Sequence, residues 1–250
     1  MKTLITGSSS GIGRETALVF LERGFEVYGI DIKEDTINNP LYHHYKVDVR
    51  DKERLPELED MDIVISSAGV QNSQDDISIN LKGTINIVEK YGVRKGIKSI
   101  LMVASASAHT GLEFPEYSAS KGGVITYMRN VARRIALFGG TCNSISPGGV
   151  MTELNKPVME DEVLWKEIMD LTPLKKWATA GEIAEWIYFL TVINKSATGE
   201  DFLIDNGETR LNGSFIWPEA GKIPSSRKGL IHSQARQTQT APIPLRRLTM

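Results

Sequence analysis

Residues 2–23 have the sequence KTLITGSSSGIGRETALVFLER, and this stretch decides the fold. Residues 2–6 form a short apolar run typical of a buried strand, and residues 7–13 form a turn that contains three glycines. From Arg14 to Arg23 the apolar side chains fall on one side of a helix. Glycines let the backbone approach a pyrophosphate closely, and a helix N-terminus attracts its negative charge. The stretch therefore predicts a nucleotide-binding strand, turn and helix.

The glycine spacing is G-x-x-x-G-x-G, whereas the standard dinucleotide fingerprint is G-x-G-x-x-G. A plain flexible turn is the alternative interpretation of such a loop. The strand and the helix on either side favour the phosphate-binding interpretation.

An acidic residue follows the next predicted strand, residues 26–30, because Asp31 lies 18 positions after Gly13. A carboxylate at this place accepts hydrogen bonds from the ribose hydroxyls of NAD and repels the 2′-phosphate of NADP. Lys33 partly offsets that repulsion. The pattern favours NAD and leaves NADP open, and a polar residue at an exposed strand end is the alternative.

A phenol and an ammonium are four positions apart in the segment YSASK, residues 117–121. Four positions are about one helical turn, so Tyr117 and Lys121 share a helix face. A nearby cation favours the phenolate and lowers the tyrosine pKa from its usual value near ~10. The pair can therefore exchange a proton, although an amphipathic face with a solvated lysine tip has the same spacing.

Apolar runs alternate with helical stretches through residues 1–210. This order predicts an α/β fold with a doubly wound parallel sheet and helices on both faces. Ligands bind such sheets beyond the carboxyl ends of the strands, where Thr6, Asp31, Ser66 and Ser105 fall. The predicted strands are residues 3–6, 26–30, 44–48, 62–66, 99–104, 141–146 and 201–205.

Together the two motifs make the chain similar to the classical short-chain dehydrogenase/reductases. The family's Thr-Gly-x-x-x-Gly-x-Gly matches Thr6 through Gly13, and its Tyr-x-x-x-Lys matches Tyr117 and Lys121. The likeness spans most of residues 1–210. It implies a single Rossmann-type domain, an oxidoreductase that moves a hydride between NAD(P) and a small alcohol or ketone, and a homodimer or homotetramer.

The resemblance implies a catalytic set of Asn80, Ser105, Tyr117 and Lys121. Tyr117 would exchange a proton with the substrate oxygen, and Ser105 would hydrogen-bond that oxygen. Lys121 would tune the phenol and hold the nicotinamide ribose, and Asn80 would position a relay water. Ser105 directly follows the apolar run, but the loop to Tyr117 is one residue shorter than usual, so Ser107 is a rival for the catalytic serine.

The resemblance also implies a cofactor site spread over several loops. The family's Asn-Asn-Ala-Gly loop corresponds to residues 66–69, where serines replace both asparagines. The hydrogen bonds of those amides then fall to hydroxyls or water, or are lost. The implied cofactor-binding residues are Gly7, Ser9, Ser10, Gly11, Ile12, Gly13, Asp31, Asp48, Val49, Ser67, Ala68, Gly69, Tyr117, Lys121, Pro147, Gly148, Val150 and Thr152.

Two connections are short for the family, residues 31–48 and residues 69–80. They leave little room for the usual helices, so we expect a more open adenine side or an altered oligomer face. Residues 154–176, with Trp165 and Leu171, are the predicted substrate lid, whose apolar side chains either cover a substrate or pack down.

Composition indicates an ordinary globular domain, with 41% hydrophobic residues and a net charge of −2. That charge gives no general attraction to nucleic acid or to an anionic membrane. The opening residues lack an apolar signal region and no apolar run approaches ~18 residues, so a cytoplasmic location is expected. A single cysteine and the adjacent His43 and His44, which point to opposite strand faces, predict no metal site.

Residues 211–250 carry six basic residues and one acidic residue among Pro, Ser, Gln and Thr. They are predicted to be a basic, flexible C-terminal extension of a catalytic domain at 1–210. Docking on an acidic neighbour, binding an anionic partner and no role at all remain open for this extension. The sequence also leaves open the substrate, the direction of the reaction, and a catalytically silent NAD(H)-binding regulator on the same fold.

Overall fold

The computed structural model describes residues 1–112 and 114–211. Apart from Leu211, the predicted C-terminal extension lies outside the described residues, so its boundary and flexibility stay predictions. In the described residues, no helix is both long and apolar enough to cross a membrane.

Strands and helices alternate along the described chain. The strands are β1 Lys2–Thr6, β2 Glu26–Asp31, β3 Tyr42–Lys46, β4 Ile63–Ser66, β5 Ser99–Val103, β6 Thr141–Pro147, β7 Val150–Met151, β8 Ala178–Thr179 and β9 Asp201–Ile204. The α-helices are α1 Gly11–Glu22, α2 Thr84–Ile87, α3 Ser107–Thr110, α4 Pro115–Ile135, α5 Lys156–Glu160, α6 Glu162–Leu171 and α7 Ala180–Tyr188. Short 3₁₀ segments are Ala136–Phe138 and Glu153–Asn155, and π-helical turns are Ile77–Gly83, Val88–Gly92 and Phe189–Ile193.

Seven strands of the described chain form one parallel sheet in the order β3-β2-β1-β4-β5-β6-β9. β1 pairs with β2 on one side and with β4 on the other, so the winding direction reverses at β1. Ligands bind at such a reversal, outside the carboxyl ends of the strands. The prediction of a doubly wound α/β sheet is confirmed.

Helices cover both faces of the sheet because its central strands are apolar on both sides. All five residues of β5 are buried, and they alternate between two cores. Ile100 and Met102 pack toward α4 and toward the helical residues 77–92. Leu101 and Val103 pack toward α1 and α7.

Both short connections lack a helix, as predicted: none lies between β2 and β3, or between β4 and Ile77. In the first, Asp35 Oδ1 accepts a hydrogen bond from Ile37 N at 2.8 Å, and the Ile37 side chain is buried in the core beside α1. In the second, Ser73 and Asp76 make an equally tight local turn, in which Ser73 N donates to Asp76 Oδ2 at 3.0 Å. Side-chain hydrogen bonds to the backbone hold these loops where a helix would otherwise do so.

Candidate active site

The glycine-rich turn joins β1 to α1 and leaves backbone groups free at the start of the helix. Gly7 and Gly11 have φ of 71° and 54°, which favours glycine. A Cβ placed on Gly13 would collide with the carbonyl oxygen of Gly7. Ser10, the N-cap residue, makes no capping hydrogen bond, and among the described residues the buried Ser9 Oγ has no partner. This cradle of N–H groups and one orphaned hydroxyl fits a pyrophosphate.

Asp31 lies at the edge of this turn, at the end of β2. Its Oδ2 accepts a hydrogen bond from Ser9 N at 3.0 Å, and its Oδ1 accepts one from Lys33 N at 2.9 Å. Lys33 Nζ is 3.4 Å from Ser10 Oγ. A carboxylate and an ammonium therefore both border the place where a ribose beside the pyrophosphate would lie.

The loop after β4 lies directly against the glycine-rich turn. Thr6 Oγ1 accepts hydrogen bonds from Ser67 N and Ala68 N, both at 3.0 Å. A Cβ on Gly7 would lie 3.0 Å from the Ala68 backbone. The structure thus brings the predicted residues of these two loops together.

The hydroxyl of Ser66, where the family pattern has an asparagine, makes a hydrogen bond inside the protein. Ser66 Oγ donates to Thr84 Oγ1 at 2.9 Å, and Thr84 Oγ1 donates to Asn80 O at 2.7 Å. Asn80 lies in the π-helical turn Ile77–Gly83, a distortion often found at functional sites. The Ser66 hydroxyl therefore ties β4 to the turn that carries Asn80.

The Asn80 side chain clamps two segments that border the crevice. Its Oδ1 accepts from Val70 N at 2.8 Å, and its Nδ2 donates to Val70 O at 2.9 Å and to Ser120 Oγ at 3.1 Å. A Cβ on Gly69 would lie 3.0 Å from Asn80 Oδ1 and 3.3 Å from Lys121 Nζ. Asn80 and Lys121 thus meet at Gly69, beside the loop that contacts the glycine-rich turn.

Tyr117 and Lys121 lie on the same face of α4, as their spacing predicts. Lys121 Nζ is 5.7 Å from the centre of the Tyr117 ring and donates to Val103 O at 2.9 Å. The lysine is 5% exposed, and burial lowers its pKa to about 8, while the Asp76 carboxylate acts in the opposite direction. A buried ammonium with a tuned proton affinity therefore lies beside a half-buried phenol.

Asp76 is a functional candidate that the sequence analysis missed. Its side chain is buried, and its charge favours protonated Lys121. Asp76 lies four positions before Asn80, and residues four apart on a helix are neighbours on its surface. This spacing is the sequence signal that indicates Asp76. The Asp76 carboxylate raises the pKa of Lys121 and so partly offsets the lowering caused by burial.

We expect Asp76→Asn to shift the pH profile of activity toward acid. Without the carboxylate, the pKa of Lys121 falls below about 8, so the ammonium loses its proton at a lower pH. Activity that needs protonated Lys121 then falls at a lower pH, by about half to one pH unit, which corresponds to about 1 kcal/mol. The measurement is kcat/KM between pH 6 and pH 10.

Asp75→Asn is the matched control for this experiment. The Asp75 carboxylate is exposed, pairs with Arg50 Nη1 at 3.0 Å, and is not among the groups that shift the Lys121 pKa. The Asp75→Asn substitution should not change the pH at which kcat/KM falls on the alkaline side of the profile. Equal shifts in both variants would contradict the role of Asp76.

Ser105 and Ser107 are both buried at the end of β5, and Ser107 N donates to Ser105 Oγ at 3.2 Å. Ala106 N donates to Pro147 O at 2.8 Å, so the serine loop is tied to the end of β6. Ser105 is the closer of the two to the strand end, and Ser107 begins α3. The choice of Ser105 stays a prediction.

The turn after β6 closes the crevice. Gly148 N donates to Ile204 O at 2.9 Å, and a Cβ on Gly11 would lie 3.6 Å from Thr152 Cγ2. Thr152 therefore faces the glycine-rich turn, whereas the Val150 side chain is buried in the core beside α7. Loops from β1, β4, β5 and β6 thus surround one crevice at the carboxyl ends of the strands.

Asp48 and Val49, two predicted cofactor residues, make other contacts in the structure. Arg50 Nη2 donates to Asp48 Oδ2 at 2.7 Å, and Arg50 Nε lies about equally near both carboxylate oxygens. These hydrogen bonds lower the pKa of Asp48. The Val49 side chain is buried, and its carbonyl accepts from Asn86 Nδ2 at 3.0 Å. Their contact with an adenine stays a prediction.

Comparison with known proteins agrees with this geometry. The family model described as "Enoyl-(Acyl carrier protein) reductase", of the short-chain alcohol dehydrogenase type, matches residues 7–209. Glucose 1-dehydrogenase of Gluconobacter oxydans (strain 621H) is 30% identical over 86% of this chain and 93% of its own length.

The chain belongs to the short-chain dehydrogenase/reductase family. Members of this family are NAD(P)-dependent oxidoreductases that act on alcohols and ketones, so the prediction of such an enzyme is confirmed.

Two solved structures have the same fold. A 4-hydroxyisoleucine dehydrogenase mutant in complex with NADH and succinate is 26% identical, with a TM-score of 0.72 over 84% of this chain and 98% of that chain. The ligand-free aldohexose dehydrogenase of Thermoplasma acidophilum is 22% identical, with a TM-score of 0.76 over 89% of this chain and 96% of that chain. The second likeness shows the fold alone.

Proposed function

We propose that this short-chain dehydrogenase/reductase interconverts a secondary alcohol and a ketone, prefers NAD, and uses Tyr117 as its acid-base group. The observation that supports this most strongly is the position of Lys121. Its buried Nζ lies beside the Tyr117 ring, donates to Val103 O and approaches Gly69, so one cation joins the proton-transfer group to the nucleotide-binding loops.

The cofactor would lie along the loops that surround the crevice. The glycine-rich turn would hold the pyrophosphate, Asp31 the adenosine ribose, and the turn from Pro147 to Thr152 the nicotinamide end. A bound nicotinamide supplies the hydride donor or acceptor. Ser9 Oγ and the uncapped start of α1 are the groups of this chain that such a ligand would satisfy.

The proton steps fall to the side chains at the end of β5 and on α4. Tyr117 donates a proton to the ketone oxygen during reduction and accepts it from the alcohol during oxidation. Ser105 donates a hydrogen bond to the same oxygen as charge develops. Protonated Lys121 stabilises the phenolate, and Asn80 holds the segments on both sides of the lysine.

Replacing Asp31 by Asn should move cofactor preference toward NADP. The amide still accepts from Ser9 N but carries no charge, and Lys33 Nζ near Ser10 Oγ then favours a 2′-phosphate. We expect the ratio of kcat/KM for NADP to that for NAD to rise about tenfold, or about 1.4 kcal/mol. Steady-state kinetics with each cofactor measures this ratio.

Asp35→Asn tests whether any lost acidic charge on this loop has the same effect. Asp35 is exposed and caps Ile37 N as Asp31 caps Lys33 N. Its substitution should leave the ratio within about twofold. An unchanged ratio in Asp31→Asn would contradict the NAD preference.

The test of the proposed function is binding of NADH and NADPH by fluorescence, followed by turnover with a panel of secondary alcohols and ketones. D-glucose belongs in the panel because a relative is a glucose 1-dehydrogenase. Tighter NADH binding with turnover is the expected result. Binding without turnover across the panel would contradict the proposed reaction with secondary alcohols and ketones. The homodimer or homotetramer implied by the family, and the cytoplasmic location, stay predictions.

A further inference from the structure

Glu208 is a partly buried carboxylate that the proposed reaction does not use. It follows β9 and the turn formed by residues 205–207. Its Oε1 lies 2.8 Å from Thr172 Oγ1 and accepts from Trp177 Nε1 at 3.1 Å. Burial raises the pKa of this carboxyl, and the neighbouring Asp205 charge acts in the same direction. Burying a carboxylate lowers the stability of the fold unless hydrogen bonds compensate for its lost hydration.

On one side, Glu208 contacts the predicted lid, residues 154–176, which contains α5 and α6. Thr172 is the first residue after α6 and is fully buried. The Trp177 ring packs edge to face against Trp165 of α6, with ring centres 5.0 Å apart. The single proton of the Thr172 hydroxyl has two acceptors at 2.8 Å, Ile168 O and Glu208 Oε1. The carboxylate therefore contacts the C-terminal end of the lid through this hydroxyl and accepts a hydrogen bond from the indole N–H of Trp177.

On the other side, Glu208 contacts the turn that we assign to the nicotinamide end. A Cβ on Gly148 would lie 3.0 Å from Glu208 Oε2, and a Cβ on Gly149 would overlap the Trp177 ring. Both Glu208 and Trp177 thus reach from the lid to this turn.

We propose that Glu208 is a positioning residue that couples the lid to the nicotinamide turn. One carboxylate oxygen of Glu208 faces the lid and the other faces the nicotinamide turn. A ligand that fixes the turn therefore favours one position of the lid. By thermodynamic linkage, a ligand that fixes the lid favours the corresponding position of the turn. The coupling rests on the proposed function, since it requires the nicotinamide end to contact residues 147–152. Gly148, Thr172 and Glu208 are far apart in the sequence, so they come together only in the folded chain.

The test compares NADH with ADP-ribose, which lacks the nicotinamide, in the wild type and in Glu208→Gln. The amide retains an acceptor for Trp177 Nε1 but presents an NH₂ group to the turn. NADH affinity should fall about tenfold, whereas ADP-ribose affinity should stay within about twofold. NADH should also slow tryptic cleavage at Lys166, an exposed residue of α6, in the wild type but not in the variant.

Thr172→Val is a second variant that tests the same coupling if Glu208→Gln fails to fold. It removes the hydroxyl from the lid side and leaves Glu208 in place, and the same loss of NADH-dependent protection is expected. Equal weakening of NADH and ADP-ribose, or full NADH protection in both variants, would overturn the coupling. A wild-type protein that binds neither NADH nor NADPH would instead overturn the proposed function, and the coupling with it.

Discussion

Tyr117→Phe is expected to lower kcat by about 10³-fold or more while the affinity for NADH stays nearly unchanged. The substitution removes the hydroxyl that exchanges the proton and leaves the ring beside Lys121, whose Nζ is 5.7 Å from the ring centre. Lys121 also keeps its hydrogen bond to Val103 O. Kinetics at saturating substrate and fluorescence titration with NADH separate the two effects.

Tyr127→Phe is the matched control, because Tyr127 lies on the same helix α4 and its hydroxyl donates to Glu89 Oε1 at 2.8 Å, on the protein surface. Loss of that hydrogen bond should cost about 1 kcal/mol of stability and leave kcat within about twofold. Residual activity above about a tenth of the wild-type value in Tyr117→Phe would rule out the assigned role.

Gly13→Ala is expected to disrupt the nucleotide cradle. The added Cβ would collide with the Gly7 carbonyl oxygen and lie 2.7 Å from its carbon and 3.0 Å from Thr6 O. All three atoms belong to the backbone, so no side-chain rotation relieves the clash. The free energy of unfolding should fall by about 1–3 kcal/mol. NADH affinity should fall about 100-fold, because the turn and the start of α1 must move apart.

Gly122→Ala controls for the loss of a glycine as such. A Cβ on Gly122, in α4, meets no atom within 4 Å among the described residues outside its own helix backbone, and alanine favours a helix over glycine by about 0.5–1 kcal/mol. This variant should be as stable as the wild type or more stable, with unchanged NADH affinity. Denaturant unfolding and NADH titration of both variants test the contrast, and a Gly13→Ala protein that binds NADH normally would show that the turn is not the cradle.

The parts of the site that depend on local spacing were predictable from the sequence. Tyr117 and Lys121 share a face because a helix repeats every 3.6 residues. The run from Lys2 to Gly13 forms a strand and turn because a short apolar run is followed there by closely spaced glycines. The alternation of strands and helices predicted the parallel sheet. Because parallel strands end at one edge, the sequence also predicted that Thr6 and Ser105 border the same crevice.

Contacts between distant segments were decided only by the tertiary structure. No spacing indicates that the Ser66 hydroxyl donates to Thr84 Oγ1, or that Asn80 Nδ2 donates to Ser120 Oγ. The lowered pKa of Lys121 results from burial, which a sequence position does not reveal.

The sequence by itself determined the family and the parallel α/β class of the sheet, because the first follows from two local motifs and the second from the alternation of strands and helices. The tertiary structure alone decided which charges act on these motifs. The Asp76 charge acts on Lys121, and Glu208 lies between Thr172 and Gly148, only after the sheet and its helices have packed. Electrostatic effects depend on distance and desolvation in space, and neither is a property of the sequence.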